Sequence, residues 1–146
     1  MKKNNYIEIP MKLNAIGHLE VEVTIDDIKT RFLVDTGASN TVIDIGFAKD
    51  KLLEFASIKE LGGGVGTSQM QIFHKQVALF KINDFKIPSF DLYATDFTHV
   101  KDSLAKKGIT EPCQGVIGAD ILIKYKAKIN YKKKKLYLRV TKLKDN

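Results

Sequence analysis

Cysteine is almost missing from this sequence, and its scarcity excludes two classes of protein. Cys113 is the only cysteine among 146 residues. A single cysteine cannot form an intrachain disulfide, so the chain is not a disulfide-stapled domain, and this cysteine usage agrees with a reducing compartment. No His/Asn partner motif accompanies Cys113, and we therefore do not expect a thiol protease.

Long apolar runs are missing as well. No stretch approaches the roughly 20 consecutive apolar residues that a membrane-spanning helix needs. The first ten residues contain two lysines but no apolar segment of the kind found in signal peptides. We therefore expect a cytoplasmic protein with no membrane partner.

The sequence also lacks a metal-ligand pattern and any internal division. His18, His74 and His99 share no metal-ligand spacing with one another or with Cys113, so we predict no metal and no cofactor. No repeat or linker interrupts the chain, and 44% of its residues are hydrophobic, enough for one core. Residues 1–146 are therefore predicted to form a single domain.

Basic residues are concentrated near the C-terminal end. Residues 124–146 contain ten Lys or Arg and one Asp, a net charge of +9, whereas residues 1–123 have a net charge of −2. Such a patch could attract nucleic acid, anionic lipid or an acidic partner. Because charge runs usually only solvate a surface, we expect a solvated hairpin with its lysines outward.

Alternating apolar and polar residues predict short strands along most of the chain. Residues 19–25 alternate strictly, Asp26 and Asp27 form a turn, and residues 28–34 form a second strand, which together predict a hairpin. Further strands are predicted at 75–82, 86–94, 127–131 and 136–140, with a short apolar strand at 116–117. About three short helices are expected beside them, so the fold class is mostly β, closed or sandwich-like.

The three helices are predicted from their starting residues and apolar spacing. Asp44, Thr98 and Asp120 are the predicted N-caps. The side chains expected to face the core are Phe47, Leu52, Leu53, Val100 and Leu104.

The most informative segment is residues 32–39, which read Phe-Leu-Val-Asp-Thr-Gly-Ala-Ser. An apolar strand runs directly into Asp35, Thr36 and Gly37. The glycine lets the chain turn sharply, and the strand anchors the turn, so the carboxylate of Asp35 is held in one place.

Two further segments follow in order. Residues 61–67 read Leu-Gly-Gly-Gly-Val-Gly-Thr and lead into a period-two strand, without the Lys of a phosphate-binding loop. This pattern favours a mobile hairpin that closes over a substrate. Residues 115–122 read Gly-Val-Ile-Gly-Ala-Asp-Ile-Leu, an apolar strand that meets a turn and a helix.

These three segments together resemble the retropepsin-like aspartic proteases: the retroviral proteases, their bacterial relatives and the protease-like domain of eukaryotic ubiquitin-shuttle proteins. The resemblance covers about residues 15–140. It implies a closed barrel or sandwich of one acid-protease lobe with two to three short helices. It also implies a homodimeric endopeptidase with a peptide or protein substrate, because the chemistry needs two carboxylates and the Asp-Thr-Gly motif occurs once.

The resemblance also implies roles for particular residues. Asp35 of each subunit activates a water molecule, Thr36 forms a hydrogen bond across the dimer axis, and Gly37 places backbone near the substrate. Residues 62–67 form the flap. The residues expected to contact substrate are Ala38, Gly64, Val65, Gly66 and Ile117. Segment 95–114 is longer than in the small retroviral enzymes, and the basic C-terminal hairpin differs from the terminal strands through which they dimerise.

Three alternative interpretations remain open. Asp35 could simply shape a turn, since Asp-Thr-Gly is good turn chemistry. The chain could be a binding or assembly module that keeps the fold and cuts little or nothing, although a pure binder has no need of an intact Asp-Thr-Gly. It could also bind nucleic acid through its basic surface, which we do not expect because no recognisable RNA-binding motif with interleaved aromatics is present. We interpret Asp120 as a helix cap and not as a second catalytic carboxylate, because no Gly follows it.

Overall fold

Alternating side chains give this chain a strand-rich architecture. The structure, a computed structural model, describes residues 5–58 and 71–140. Within these ranges there are eleven strands and three short helices. The strands are β1 (Tyr6–Pro10), β2 (Lys12–Leu13), β3 (Leu19–Ile25), β4 (Ile28–Val34), β5 (Val42–Asp44), β6 (Ala56–Ile58), β7 (Ile72–Ile82), β8 (Phe85–Thr95), β9 (Gly115–Ile117), β10 (Lys128–Asn130) and β11 (Lys135–Arg139). The helices are α1 (Ile45–Asp50), α2 (Thr98–Lys106) and α3 (Ala119–Lys124).

Six of the strands close into a barrel. They follow one another in the order β3-β4-β9-β5-β8-β7, and β7 pairs back onto β3 through positions such as Val23 with Ile82. The β4–β9 and β5–β8 pairs are parallel, and the other pairs of the ring are antiparallel. The prediction of a mostly-β closed fold with two to three short helices is confirmed.

The barrel interior is a continuous apolar core. The apolar positions of β3 are all buried, and they contact buried side chains of the neighbouring strands. Phe32 and Phe80 pack edge to face in this core, with 5.7 Å between their ring centroids. Each such side chain contributes about 1.5–3 kcal/mol by leaving water, so the barrel is a firm support for loops at its ends.

A second sheet of three antiparallel strands joins the two ends of the described chain. Its order is β1-β11-β10. Ile9, Leu136 and Leu138 are fully buried on its inner face and join it to the main core. The predicted C-terminal hairpin is confirmed, and the structure pairs it with the N-terminal strand of the same chain.

Two side chains predicted to face the core are exposed instead. Leu52 is 86% exposed because α1 ends at Asp50 and the chain then turns through a positive φ of 61° at Leu52, so the helical spacing no longer applies. Val100 is 52% exposed, and α2 has no buried residue. Helix α2 is therefore attached to the barrel by polar contacts more than by an apolar face.

The start of α2 also differs from the prediction. Thr98 is the first residue of the helix and Phe97 is its N-cap. The carboxylate of Asp96 accepts hydrogen bonds from the Thr98 N–H and hydroxyl. The Thr98 hydroxyl is therefore a donor to Asp96, and it does not cap the helix. No helix in the described part of the chain is long and apolar enough to cross a membrane.

Candidate active site

Asp35 is the first residue beyond the C-terminal end of β4. The barrel strand ends at Val34, and Asp35, Thr36 and Gly37 are all exposed. The Asp35 carboxylate accepts a hydrogen bond from the Gly37 N–H at 2.9 Å, and its carbonyl accepts one from the Ala38 N–H at 3.1 Å. The sequence thus forms a tight turn whose acidic side chain faces solvent, as the pattern of a strand followed by Asp-Thr-Gly predicts.

The backbone of this turn is held by the neighbouring strand β9. Because β4 and β9 are parallel, the strand ladder continues past Val34, and the Asp35 N–H donates to the Ile117 carbonyl at 3.0 Å. Farther along, the carbonyl of Ala38 accepts from the Ala119 N–H at 2.7 Å, and that of Ser39 accepts from the Asp120 N–H. The loop is therefore fixed at both ends while the Asp35 side chain remains exposed.

Thr41 and Asp120 lock the loop to α3. Thr41 is fully buried, and its hydroxyl donates to Asp120 at 2.7 Å and accepts from the Gly118 N–H at 3.0 Å. The Thr41 N–H donates to the other carboxylate oxygen of Asp120 at 3.0 Å. The prediction that Asp120 caps α3 is wrong in detail, because the N-cap is Gly118 and Asp120 lies in the first turn. Its carboxylate is occupied by Thr41, so it has a structural role.

Gly118 permits the close contact between α3 and the loop. A Cβ at this position would lie 2.5 Å from the Asn40 carbonyl oxygen and 2.9 Å from that of Ala38. Both atoms belong to backbone, which cannot rotate out of the way as a side chain can. A larger residue would therefore push α3 away from the segment that carries Asp35.

The Asp44 carboxylate and the Cys113 thiol are two further reactive groups near the barrel, and neither is suited to catalysis. Asp44 is buried, and its burial alone would raise its pKa, but the hydrogen bond and charge of Lys101 and the N–H groups of Phe97 and Phe47 together hold that pKa below the ordinary value. Burial raises the pKa of the Cys113 thiol to about 12, with the charge of Glu20 adding to the effect. The Cys113 thiol is therefore protonated at neutral pH, so it is a poor nucleophile.

The predicted site residues divide into three groups. The structure brings Asp35, Thr36, Gly37 and Ala38 together in one loop. The side chain of Ile117 is fully buried, and its carbonyl is what reaches the loop. The prediction that Ile117 contacts substrate is wrong, because a side chain in the core cannot line a groove. Ile117 instead supports the loop through its carbonyl.

The third group is the predicted flap. Gly64, Val65 and Gly66 lie outside the described residues. On either side of them, β6 and β7 pair as antiparallel strands, with Ile58 opposite Ile72.

Some features have no counterpart in the sequence prediction. The bracing role of Thr41 was missed, because a buried threonine directly before β5 has no distinctive local pattern. Its only signal was its place after the Asp-Thr-Gly segment. His74 Nε2 lies within hydrogen-bond distance of an Asp91 carboxylate oxygen, at 3.0 Å. Within the described ranges, no group of three or more His, Cys, Asp or Glu residues could hold a metal ion.

A surface groove of about 660 Å³ lies away from Asp35. It is bounded by the outer side of β3 and β4 and by residues 110–112, and includes Glu22, Arg31 and Lys81. It is lined by side chains of both charge signs, so it does not select a ligand of one charge. Asp35 is not among its lining residues.

Comparison with known proteins agrees with this arrangement. A sequence model of the family described as aspartyl protease matches residues 21–121, which include Asp35 and the start of α3. A search of curated proteins gave no match.

Three solved structures illustrate the similarity in fold. A retropepsin-like aspartic protease from Rickettsia conorii is 18% identical with a TM-score of 0.58, and the match covers 94% of this chain and 96% of that one. The retroviral protease-like domain of Ddi1 from Leishmania major is 21% identical with a TM-score of 0.57, covering 83% and 87%. EIAV protease in complex with the inhibitor HBY-793 is 21% identical with a TM-score of 0.50, covering 82% and 98%. The chain belongs to the aspartyl protease family and has the retropepsin-like fold.

Proposed function

We propose that this chain is a homodimeric aspartic endopeptidase in which Asp35 of each subunit supplies one of two catalytic carboxylates. The observation that carries the proposal is the exposed carboxylate of Asp35 on a loop whose backbone is firmly braced. Only one Asp-Thr-Gly occurs in the sequence. A two-fold axis beside the loop would bring two copies together and complete the site.

The chemistry requires the two carboxylates to share one proton. Two carboxylates in close contact cannot both ionise at low cost, so one stays protonated over a wide pH range. The ionised one removes a proton from water, whose oxygen attacks the scissile carbonyl carbon, while the protonated one donates a hydrogen bond to the carbonyl oxygen. Proton transfer to the amide nitrogen then lets the C–N bond break and releases the two peptide products.

Neighbouring residues of the loop have supporting roles in this proposal. The exposed Thr36 forms a hydrogen bond to the partner loop and fixes the distance between the two Asp35 residues. Gly37 and Ala38 lie next to the substrate backbone, and Gly37 leaves room for its approach. The Thr41–Asp120 contact prevents the loop from shifting, which matters because small errors in the position of a catalytic group lower the rate strongly.

A flap at residues 62–67 would cover the substrate. The support for it is the pairing of β6 with β7, because Ile58 and Ile72 stand opposite each other at the two ends of the intervening segment. A glycine-rich hairpin on these arms could bind an extended peptide through backbone hydrogen bonds. Gly64, Val65 and Gly66 are the residues that would contact the substrate there.

Cleavage of a diverse peptide library between about pH 4 and 7 tests the proposal, because a shared-proton pair works best on the acid side of neutrality. We expect Asp35→Asn to lower cleavage by at least about 10³-fold, since it removes both the base and the shared proton. The matched control is Asp102→Asn, which neutralises an exposed aspartate on α2 and leaves cleavage unchanged.

Mixing the wild type with Asp35→Asn tests whether two copies share one site. After subunits exchange, an equimolar mixture should keep about one quarter of the activity of wild type at the same total concentration, whereas independent monomers would keep about half. Activity per chain should also fall on dilution. Absence of cleavage by folded, dimeric protein would favour a binding module, and a constant rate up to about pH 9 would contradict a shared proton.

A further inference from the structure

The described part of the C-terminal region forms a strongly basic surface. Residues 124–139 contain eight Lys or Arg and no acidic residue. We call this set the terminal basic surface; its members are Lys124, Lys126, Lys128, Lys132, Lys133, Lys134, Lys135 and Arg139. Of these eight, within the described ranges, only Lys135 has a carboxylate partner, Glu8 at 3.0 Å. Seven positive charges thus remain without a neutralising partner in this part of the chain.

Aromatic side chains lie among these charges on one face of the three-stranded sheet. Leu136 and Leu138 are buried, so their neighbours Lys135, Tyr137 and Arg139 point to the outer face. The strand register places Lys128 directly opposite Tyr137.

The N-terminal strand adds a second aromatic ring to this face. Tyr6 stands opposite Arg139, and the Lys128 Nζ lies 4.6 Å from the centroid of its ring. The Tyr6 hydroxyl donates to the Lys126 carbonyl at 3.1 Å, which holds the ring across the sheet. Tyr131, in the turn that joins β10 to β11, is 66% exposed. Cations and aromatics therefore interleave on one open sheet face, although they come from opposite ends of the sequence.

Three kinds of partner can be compared by how well they fit the charge and shape of this face. A second copy of the chain on this face would bring Lys128 and Arg139 of one copy against those of the other, and such a meeting of like charges is unfavourable. An anionic lipid surface is best bound by apolar side chains that project beyond the charges, but Tyr6 and Tyr137 are both half-buried within the face. A single-stranded nucleic acid fits both features, because its phosphates pair with cations and its bases stack on aromatic rings.

We propose that the outer face of the β1-β11-β10 sheet binds single-stranded nucleic acid. Lys128, Lys132 and Arg139 contact phosphates, and a base stacks on Tyr137. This departs from the expectation drawn from the sequence, in which no recognisable RNA-binding motif was present. The contribution of Tyr6 to this face depends on strand pairing and is not visible in the sequence. Asp35 takes no part in this surface.

The test is fluorescence anisotropy of a labelled oligothymidylate of about 15 nucleotides, a length within the site sizes known for single-strand binders. We expect Tyr137→Thr, which keeps a strand-forming residue, to weaken binding about fivefold or more, and Tyr137→Phe to bind as wild type, because the ring and not the hydroxyl stacks. The Phe variant also shows whether a loss in the Thr variant is due to the ring.

A matched pair of charge variants tests the phosphate contacts. Lys128→Glu/Lys132→Glu should weaken binding at least about tenfold and reduce the steepness of the log Kd–log salt plot by about 0.7 per lost contact. Lys106→Glu/Lys107→Glu makes the same change in net charge at the C-terminal end of α2. We expect binding within about threefold of wild type, since salt screens distant charges.

Four results would overturn the proposal. They are no binding at low salt, unchanged binding by Tyr137→Thr, equally tight binding of duplex DNA or heparin, and binding of phosphatidylserine vesicles without binding of the oligonucleotide. Asp35→Asn should bind the oligonucleotide as wild type does, so the outcome is independent of peptidase activity.

Discussion

The ends of β4 and β5 carry the same residue type and use it in opposite ways. Each strand runs from an apolar residue into an aspartate: Val34 into Asp35, and Ile43 into Asp44. Asp44 is only 5% exposed, and its oxygens accept hydrogen bonds from the N–H groups of Phe47 and Phe97 and from Lys101 at 2.7 Å. Asp35 is exposed and, within the described ranges, accepts only from the Gly37 N–H.

The difference lies in the side chains, since the backbone is held in both places. The backbone of Asp44 donates to the Gln114 carbonyl at 2.8 Å, and that of Asp35 donates to Ile117 at 3.0 Å. A carboxylate has about four lone-pair positions. At Asp44 most are occupied by fixed donors, which stabilise the fold, whereas at Asp35 most are free for a partner subunit, water or substrate. A rigid backbone with an available carboxylate is what a catalytic group requires.

Gly118→Ala should produce the largest loss of stability, because it breaks the brace behind Asp35. The added Cβ would lie 2.5 Å from the Asn40 carbonyl oxygen, so α3 and the loop must separate. We expect the free energy of unfolding to fall by about 3 kcal/mol, as for other strongly overpacked positions. Chemical denaturation measures this change, and peptide cleavage should fall further than the remaining folded fraction explains.

Gly37→Ala is the matched control within the same loop. A Cβ there would lie 3.4 Å from the nearest Asp35 carboxylate oxygen, which is close to an ordinary contact. We expect a stability change below about 1 kcal/mol. Equal losses for the two alanine variants would contradict the view that α3 braces the loop through Gly118.

Replacing Asp44 and Asp35 with asparagine, one at a time, tests the structural role of the first against the exposed position of the second. Asp44→Asn leaves the buried end of Lys101 without its charged partner and removes one acceptor, so we expect a loss of about 2 kcal/mol. Asp35→Asn should change the free energy of unfolding by less than about 0.5 kcal/mol, because it is an exposed surface substitution. Thermal and urea unfolding of both variants at neutral pH are the measurements, and a larger loss in Asp35→Asn would reverse the comparison.

The sequence predicts the barrel well because its signals are local. Strict alternation identifies β3, and Asp26 and Asp27 adopt the positive φ values of 45° and 83° that a tight hairpin turn requires. Asp35 could likewise be placed from the residues on either side of it. These features depend on neighbours in the chain, which are visible without a structure.

Contacts between distant segments could not be predicted in the same way. Asp120 looks like a helix cap in its local sequence, but Thr41, some eighty residues earlier, determines its role. The predicted core-facing side of α2 was wrong for the same reason. Its apolar spacing suggests an inward face, whereas Lys101 attaches the helix through Asp44 and Gln114. The register that puts Tyr6 beside the terminal basic surface also depends on pairing across almost the whole chain.

Among the three destabilising substitutions, Gly118→Ala, Asp44→Asn and Lys101→Met, the last should have the smallest effect and the most informative pH dependence. The substitution keeps the aliphatic stem and removes the hydrogen bond and charge that help lower the pKa of Asp44, so we expect a loss of about 1 kcal/mol at pH 7. The control Lys106→Met, at an exposed position on the same helix, should change stability by less than about 0.5 kcal/mol.

The sign of the pH effect follows from the lowered pKa of Asp44. A carboxyl group whose pKa is lower in the folded state stabilises the fold at pH values above its unfolded pKa of about 3.9, and this contribution disappears as the pH falls through the folded pKa. The difference in unfolding free energy between wild type and Lys101→Met should therefore be constant near neutrality and shrink below about pH 4. A difference that persists unchanged to about pH 2 would show that Lys101 acts through a contact that does not titrate, such as its hydrogen bond to Gln114, and not through the Asp44 charge.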